Sequence, residues 1–280
     1  MANNIALRAE YSTLLDKVYK KSALTGVLDG ANELAQLNVK AGEIKIPKLD
    51  MDGMADYSRA SGYAVGDVNL SYETKRCNYD RGRMFQVDTL DNEETAGIAF
   101  GQLAGEFMRT KVVPELDAFR LGKYATAADN AGHTASGALA TGKAALAALR
   151  AARNGIENSE ADIATAYLFI NPAVLGLIED EDSYASRAAL EGWAGVIKVP
   201  AGRFFKTVTL TAGGGFSGAD ALNFLIVDKQ AAIQYQKHEV SKIITPEQNQ
   251  VADAWKYGFR SAGIAEVYDN KTAGLYVHTV

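Results

Sequence analysis

A chain of 280 residues, 48% of them apolar, is long enough to bury one large core or two smaller ones. With 22% charged and 9% aromatic residues, its composition is that of a folded protein and not of a disordered one. Thirty-four acids against 29 bases leave a net charge of −5, which argues against a protein that grips nucleic acid through its phosphates, and the single cysteine, Cys77, excludes an intrachain disulfide.

Within residues 3–28 the spacing of Ile5, Leu7, Tyr11, Leu14, Leu15 and Val18 predicts an amphipathic helix. Two readings stay open for it: a helix lying on its own body, or an arm whose apolar stripe rests on a neighbouring copy. This first segment lacks the basic start, apolar run and small-residue cleavage site of a signal peptide. No stretch approaches the ~18 apolar residues that span a membrane, so a soluble product of a cytoplasm is expected.

Residues 43–49, EIKIPKL, alternate apolar and polar, with Ile44, Ile46 and Leu49 as the apolar set of a strand. Pro47 cannot donate a ladder hydrogen bond and predicts an edge strand. Val68, Leu70 and Tyr72 alternate with Asn69, Ser71 and Glu73 in a second strand. The intervening residues are rich in Gly, Asp and Ser, so the two strands predict a long hairpin with a large polar tip, a length that in compact domains usually serves binding.

Asp91 or Asn92 is placed to cap a helix, and Glu93 and Glu94 complement its dipole. Ala96, Ala99, Phe100, Leu103 and Phe107 continue it at helical spacing. Pro114 predicts a kink or short break, after which helix resumes to about Ala125 with Leu116 and Phe119 inward. Residues 126–141 are small and polar and read as a linker. A helix over 142–153 follows, with Leu146 and Leu149 inward and Gly155 as its stop. Tyr167–Ile170 reads as a buried strand, and Asn171 and Pro172 as the cap and first residue of a helix to about Glu179. Further strands are expected at Gly195–Val199, Thr207–Thr211 and Asn223–Val227, with Gly213, Gly214 and Gly215 in a loop. Trp255, Tyr257 and Phe259 alternate with Lys256, Gly258 and Arg260, and a turn at Asp269–Gly274 leads to a last strand, Leu275–Thr279. The fold class is α+β with a projecting hairpin, and no repeat of fixed period occurs.

Chemical motifs are weak. Gly137 to Ala144 fits GxxxxGK, but the hydroxyl that a phosphate loop places on magnesium is Ala144 here, and no hydrophobic strand leads in. The plainer reading is a glycine-rich linker entering a helix. Asp50, Asp52 and Gly53 put glycine at the wrong position for a calcium loop. His133, His238 and His278 show no metal spacing among themselves or with Cys77, and G-x-S-x-G is absent. The run Glu179 to Asp182 reads as a solvated helix end. No catalytic, cofactor-binding or metal-binding residue is assigned, and the chain is not expected to be an enzyme.

The order of elements, with several motifs, resembles a known family. Asp56, Tyr57, Ser58 and Arg59 followed by Ser61, Gly62 and Tyr63 are similar to a DYxRxxGY-like hairpin tip. Tyr79, Asp80, Arg81, Gly82, Arg83, Met84 and Phe85, then Asp88, resemble a DRGxxFxxD segment. Glu93, Glu94 and Thr95 resemble the acidic start of a long helix, and Glu106 to Arg109 with Val113 to Asp117 its ExxR and VPExD continuation. WKYGFRSAG near the C-terminus also fits. The family is that of tailed-bacteriophage major capsid proteins, with the Hong Kong 97-type capsid fold, and the resemblance is densest between residues 43 and 125.

The resemblance implies an N-terminal arm at 1–40 and a hairpin called the E-loop at 41–80. A peripheral domain built on a long spine helix would take 81–132, an axial domain 133–235, and a C-terminal return to the peripheral domain 236–280. It implies a chain that assembles with itself, as hexamers and pentamers, into an icosahedral or prolate head shell enclosing double-stranded DNA without sequence-specific binding. A separate scaffolding protein is expected, because the arm is too short for a fused one. A portal protein is a further expected partner, a decoration protein an optional one, and neither a cofactor, a membrane nor covalent crosslinks are expected. Tyr57, Arg59, Tyr63, Asp80, Arg81, Arg83, Glu93 and Arg109 are the expected inter-subunit contacts. Rival readings are an encapsulin-like nanocompartment, a nucleotide-dependent enzyme using Lys143, and an extracellular β-rich adhesion module.

Overall fold

A computed structural model describes residues 23–29, 43–60, 62–94 and 98–280. The helix read within residues 3–28 and the arm at 1–40 lie outside the described residues, apart from a 3-10 turn at Thr25–Leu28.

The hairpin is formed by β1 (Glu43–Met51) and β2 (Val68–Arg76), paired antiparallel from Glu43↔Arg76 to Met51↔Val68. Together they make a two-stranded sheet of their own, so the Pro47 position is an edge, as its missing N–H requires. One expectation is corrected here. Ile44 and Ile46 share a face, but Leu49 lies an odd number of residues on and points to the opposite one, because strand side chains alternate with period two.

β3 (Tyr79–Asp88) follows and pairs along its whole length with β10 (Ala254–Val267), which on its other side pairs with β9 (Ala232–Ile244). Neither β3 nor β9 was visible as a strand in the sequence. A bulge falls between Ala262 and Gly263, and a Cβ at Gly263 would lie 2.5 Å from the Tyr235 carbonyl oxygen, so only glycine fits there.

The expected long helix is segmented: α1 (Thr89–Glu94), α2 (Ile98–Gly101), α3 (Leu103–Phe107), a π-helical turn at Met108–Val112, and α4 (Val113–Asn130). The irregularity that Pro114 demands therefore lies ahead of it. Proline has no N–H, and its ring crowds the carbonyl four residues back, so a widened turn immediately before it lets helix run on without a break. Three aromatic contacts fasten the segments to the sheet beneath: Phe100 on Trp255, and Phe107 on Phe85 and Phe259, with ring centroids 5.3, 4.8 and 6.4 Å apart. The second part ends at Asn130 instead of Ala125, because Ala125 and Ala128 are themselves buried.

A second sheet has the order β4-β11-β8-β5-β6, built from β4 (Thr134–Ser136), β5 (Ala166–Ile170), β6 (Gly195–Lys198), β8 (Phe216–Asp228) and β11 (Leu275–Thr279). β7 (Phe205–Leu210) pairs with the outer part of β8. The segment read as a linker thus contains a strand, β4, which runs parallel to β11. β11 enters this sheet and not the one that holds β10. Both faces are covered, so β8 reads as an unbroken apolar run in Phe224–Val227. Leu225 and Val227, with Phe169, face α4 through Leu121, Tyr124 and Ala128. Phe224 and Ile226, with Leu168 and Ile170, face the helices α5 (Gly142–Asn158), α6 (Pro172–Asp180) and α7 (Tyr184–Leu190) through Leu149, Ile156, Ile178 and Ala189. α5 runs through Gly155, which packs against Tyr276 instead of stopping the helix. Asn171 caps α6 by accepting from the Ala173 amide, with Pro172 next, as read.

Candidate functional site: the projecting hairpin and its root

The hairpin has two unlike faces. Toward the body, Ile44 and Ile46 pair across the ladder with Lys75 and Glu73, and both isoleucines are buried against Ile233 and Ile264. On the other face Pro47↔Tyr72, Leu49↔Leu70 and Met51↔Val68 make three successive apolar pairs. Pro47 is exposed, and each of the other five is more than half exposed. The apolar pattern therefore changes face at Pro47: inward at the root, outward beyond it.

At the tip, Asp52 accepts from the Asp67 amide through its carboxylate at 2.9 Å and donates its own amide to the Asp67 carbonyl at 3.2 Å. These bonds close the ladder, which gives Asp52 a structural role, while Asp50 sits within the ladder opposite Asn69. Ser58 and Gly62 exchange backbone hydrogen bonds, with Gly62 at φ +78°, a conformation that favours glycine. That turn stacks Tyr57 edge-on against Tyr63 at 4.9 Å and leaves Arg59 exposed. Tyr63, Met54 and Val65 are almost wholly exposed.

At the root, polar contacts converge on Asp269, the first residue of the turn between β10 and β11. Lys75 Nζ lies 2.9 Å from its Oδ1, Lys48 Nζ lies 3.6 Å from its Oδ2, and its backbone amide donates to Glu73 Oε2 at 3.4 Å. Lys75 also reaches Glu73 Oε1 at 2.7 Å. Burial alone pulls the Lys75 ammonium down, but the bonds to Glu73 and Asp269 outweigh it and raise its pKa. Burial likewise opposes charge on Asp269, and Lys75 overcomes this and holds the carboxyl below the usual range. Asn78, immediately beyond the hairpin, donates to the Ala265 carbonyl and to Glu266 and accepts from the Ala265 amide, pinning the start of β3 onto β10.

The remaining expected contact residues lie in the body. Asp80 takes a two-pronged bond from Arg260 at 2.9 and 2.6 Å, and that bond holds its carboxyl below the ordinary range. Arg81 donates to Glu115 at 2.8 Å and to the Gly215 carbonyl, and Arg83 to the Gly213 carbonyl at 2.7 Å. These two arginines border a cleft of about 570 Å³ between β3, the π-helical turn and the glycine loop, floored by Phe85, Phe107 and Phe259. Arg109 pairs with Glu106 at 2.6 Å, and Glu93 is exposed on α1. The structure thus joins Tyr57 with Tyr63, and Arg81 and Arg83 with one loop, but does not join the tip to the body residues.

Sequence reasoning missed Glu73, Lys75 and Asp269. Glu73 and Lys75 stand two apart on a strand, hence on one face, but nothing near Asp269 marks it as their partner. It also missed why Gly142 is glycine. A Cβ there would lie 2.3 Å from the Leu177 carbonyl oxygen and 2.5 Å from Glu181, so this glycine serves the packing of α5 on α6. Lys143 is exposed. Among the described residues no cluster of His, Cys, Asp and Glu is arranged to hold a metal, and no helix is long and apolar enough to cross a membrane.

No family model matches the chain, and comparison with curated proteins finds no match. Solved structures do match over nearly its whole length. One from Mycobacterium phage Che8 superimposes with a TM-score of 0.70 at 12% identity, covering 99% of this chain and 98% of that one. The capsid structure of cyanophage P-SCSP1u gives 0.70 at 12%, covering 97% and 92%. The mature capsid of bacteriophage PhiM1 gives 0.68 at 13%, covering 98% and 92%. The fold expected from the ordered motifs is thereby found in three dimensions: this chain has the Hong Kong 97-type fold of tailed-phage capsid proteins.

Proposed function

We propose that the chain is a major capsid protein that assembles with itself into the head shell of a tailed phage, around double-stranded DNA. One observation carries the reading beyond the fold: the hairpin's apolar pairs point away from its own body. A two-stranded hairpin is marginal alone in water, and apolar side chains on an outward face gain only when something else covers them. Each contributes on the order of 1 kcal/mol when covered, and many such contacts repeated in a closed array give a shell far more stable than any one interface.

In this reading Tyr57, Arg59 and Tyr63 touch a neighbouring copy directly, and Glu93 offers a further exposed charge. Asp80, Arg81, Arg83 and Arg109 hold the receiving surface in shape through the intrachain bonds described above. Residues 1–40 act as an arm, 41–80 as the E-loop, 81–132 with 236–280 as the peripheral part and 133–235 as the axial part, with β11 entering the axial sheet. Hexamers and pentamers form with a separate scaffolding protein and close on a portal, and a decoration protein is accommodated on the outside. The chain works as a wall in the virion and not as an enzyme, and its negative charge suits a wall that does not hold the DNA it surrounds.

Negative-stain microscopy of the purified chain, alone and co-expressed with a scaffolding protein, tests the reading. Closed shells are the expected result. A chain that stays monomeric at high concentration in both conditions overturns it.

A further inference from the structure

We infer that Asp269 is a latch that sets the angle of the projecting hairpin, and that the hairpin swings about its Ile44/Ile46 root when this carboxylate is neutralised or screened. The inference rests on the proposed role of the hairpin in assembly only for its biological meaning; the latch is a property of the single chain.

Two kinds of contact join the hairpin to the body at its root. The apolar one, Ile44 and Ile46 against Ile233 and Ile264 with Cys77, Tyr235 and Tyr268 packed around them, lies close to the root. A non-directional contact of this kind fixes where the hairpin is attached but allows rotation about the attachment. The polar one fixes direction. Lys75 and Lys48 reach the same carboxylate from β2 and β1, four positions apart along the ladder, since Lys48 faces Ser71 and Lys75 faces Ile44. Two strands tied to one point of the body define an orientation that neither tie defines alone.

The way the charges are shared makes this connection separable from the fold. Glu73 and Lys75 lie two apart on β2, on one face, and their 2.7 Å pair belongs to the hairpin itself. Glu73 is the buried member, whereas the Asp269 side chain is 54% exposed. Neutralising Asp269 therefore leaves Lys75 paired with Glu73 and strands no buried charge. Removing Lys75 instead leaves Glu73 buried without its cation, which is the costly way to break such a cluster. The body around Asp269 adds Tyr268 before it and Lys271 two residues after, the latter over the Tyr268 ring at 5.5 Å, so no further acid from this turn replaces it.

The test is a distance measurement on the full-length, unassembled chain. Spin labels are placed at Met54→Cys on the tip and Tyr184→Cys on α7, both strongly exposed, in a Cys77→Ser background. Electron–electron double resonance then reads the distribution of tip-to-body distances. A narrow distribution is expected for the parent, a clearly broader one for Asp269→Asn, and recovery of the narrow one for Asp269→Glu. The unsubstituted carboxylate supplies an independent arm: in ~1 M salt, where the screening length falls to about 3 Å, the parent distribution broadens toward that of Asp269→Asn. A distribution that is already broad in the parent, or that Asp269→Asn leaves unchanged, overturns the latch. Because no shell is needed, this outcome is independent of whether the chain assembles. Failure of assembly with an intact latch counts against the capsid role alone.

Discussion

Asp117 on α4 and Arg203, in the short 3-10 turn before β7, form an ion pair at 3.0 Å in which both side chains are almost wholly buried. The same carboxylate accepts from the Leu24 and Thr25 amides and from the Thr25 hydroxyl, and Arg120 donates to that hydroxyl at 3.2 Å. One side chain thus ties the segment at 23–29 and the approach to β7 to the same helix. Breaking a buried pair by removing one partner typically costs about 3–5 kcal/mol, because the other is left charged and desolvated. Asp117→Leu is expected to lower the unfolding free energy by that order, measured in urea. The double variant Asp117→Leu/Arg203→Met is expected to be less destabilised than the single one. A single variant as stable as the parent removes Asp117 from this role.

Gly142 and Lys143 separate two explanations of the GxxxxGK segment. Packing assigns the constraint to Gly142, whose Cβ would strike the Leu177 carbonyl, and nothing to the exposed Lys143. Gly142→Ala should therefore destabilise by roughly 1–3 kcal/mol, as overpacking does, whereas Lys143→Ala should stay within about 0.5 kcal/mol of the parent. Neither variant should alter the response to added ATP in a thermal-shift assay. Nucleotide-dependent stabilisation of the parent that disappears in Lys143→Ala would restore the phosphate-loop reading.

The outward pairs of the hairpin predict a division between folding and assembly. Leu49→Lys/Leu70→Lys places charge on a face that the single chain leaves in water. Its thermal midpoint should match the parent, since surface changes of this kind are worth within about 0.5 kcal/mol. Shell formation should be lost, as it should on deletion of residues 52–66. Normal particles from either chain, seen by microscopy, would take the hairpin out of the assembly mechanism.

What the sequence disclosed, and what it hid, follows from how far apart the interacting residues lie. The hairpin, the Asn171 cap with Pro172, the first half of β10 at Trp255–Arg260, and the turn at Asp269–Gly274 with the strand after it were legible because their signals are local: alternation, a capping side chain, a turn. β3 was hidden because Asp80, Arg81 and Arg83 interrupt any apolar alternation and are stabilised by Arg260, Glu115 and the glycine loop, all distant in sequence. β9 was hidden because most of its side chains face water, and β4 because three small residues become a strand only beside β11. In β1 the signal was present but was read in one phase. Ile44 and Ile46 followed by Leu49 and Met51 is a slip of one position, and in a strand such a slip marks the point where the covering surface changes side. The candidate surface was thus half legible: its tip residues were named, but Asp269, which ties the hairpin down, carries no sequence mark of that role.

His278 gives the fold a calculable response to acid. It lies on β11, buried, with Nδ1 3.1 Å from the amide nitrogen of Asn223 and its ring 5.1 Å from that of Phe224. The same Asn223 amide nitrogen donates to the Gly137 and Thr279 carbonyls, so the ring sits in a hydrogen-bonded, buried cluster with no acidic partner among the described residues. Burial lowers the His278 pKa below its ordinary 6.5, and a bond to the Thr279 backbone offsets this only in part. A base with a depressed folded pKa binds fewer protons folded than unfolded throughout the interval between the two values. Stability from this group is therefore complete above about pH 6.5 and is lost as pH falls from there toward the folded pKa. Unfolding free energies measured in urea between about pH 5 and 7.5 should fall on acidification, and His278→Gln, which cannot take up a proton, should flatten that part of the slope. An equal slope in parent and variant would assign the acid sensitivity to other groups.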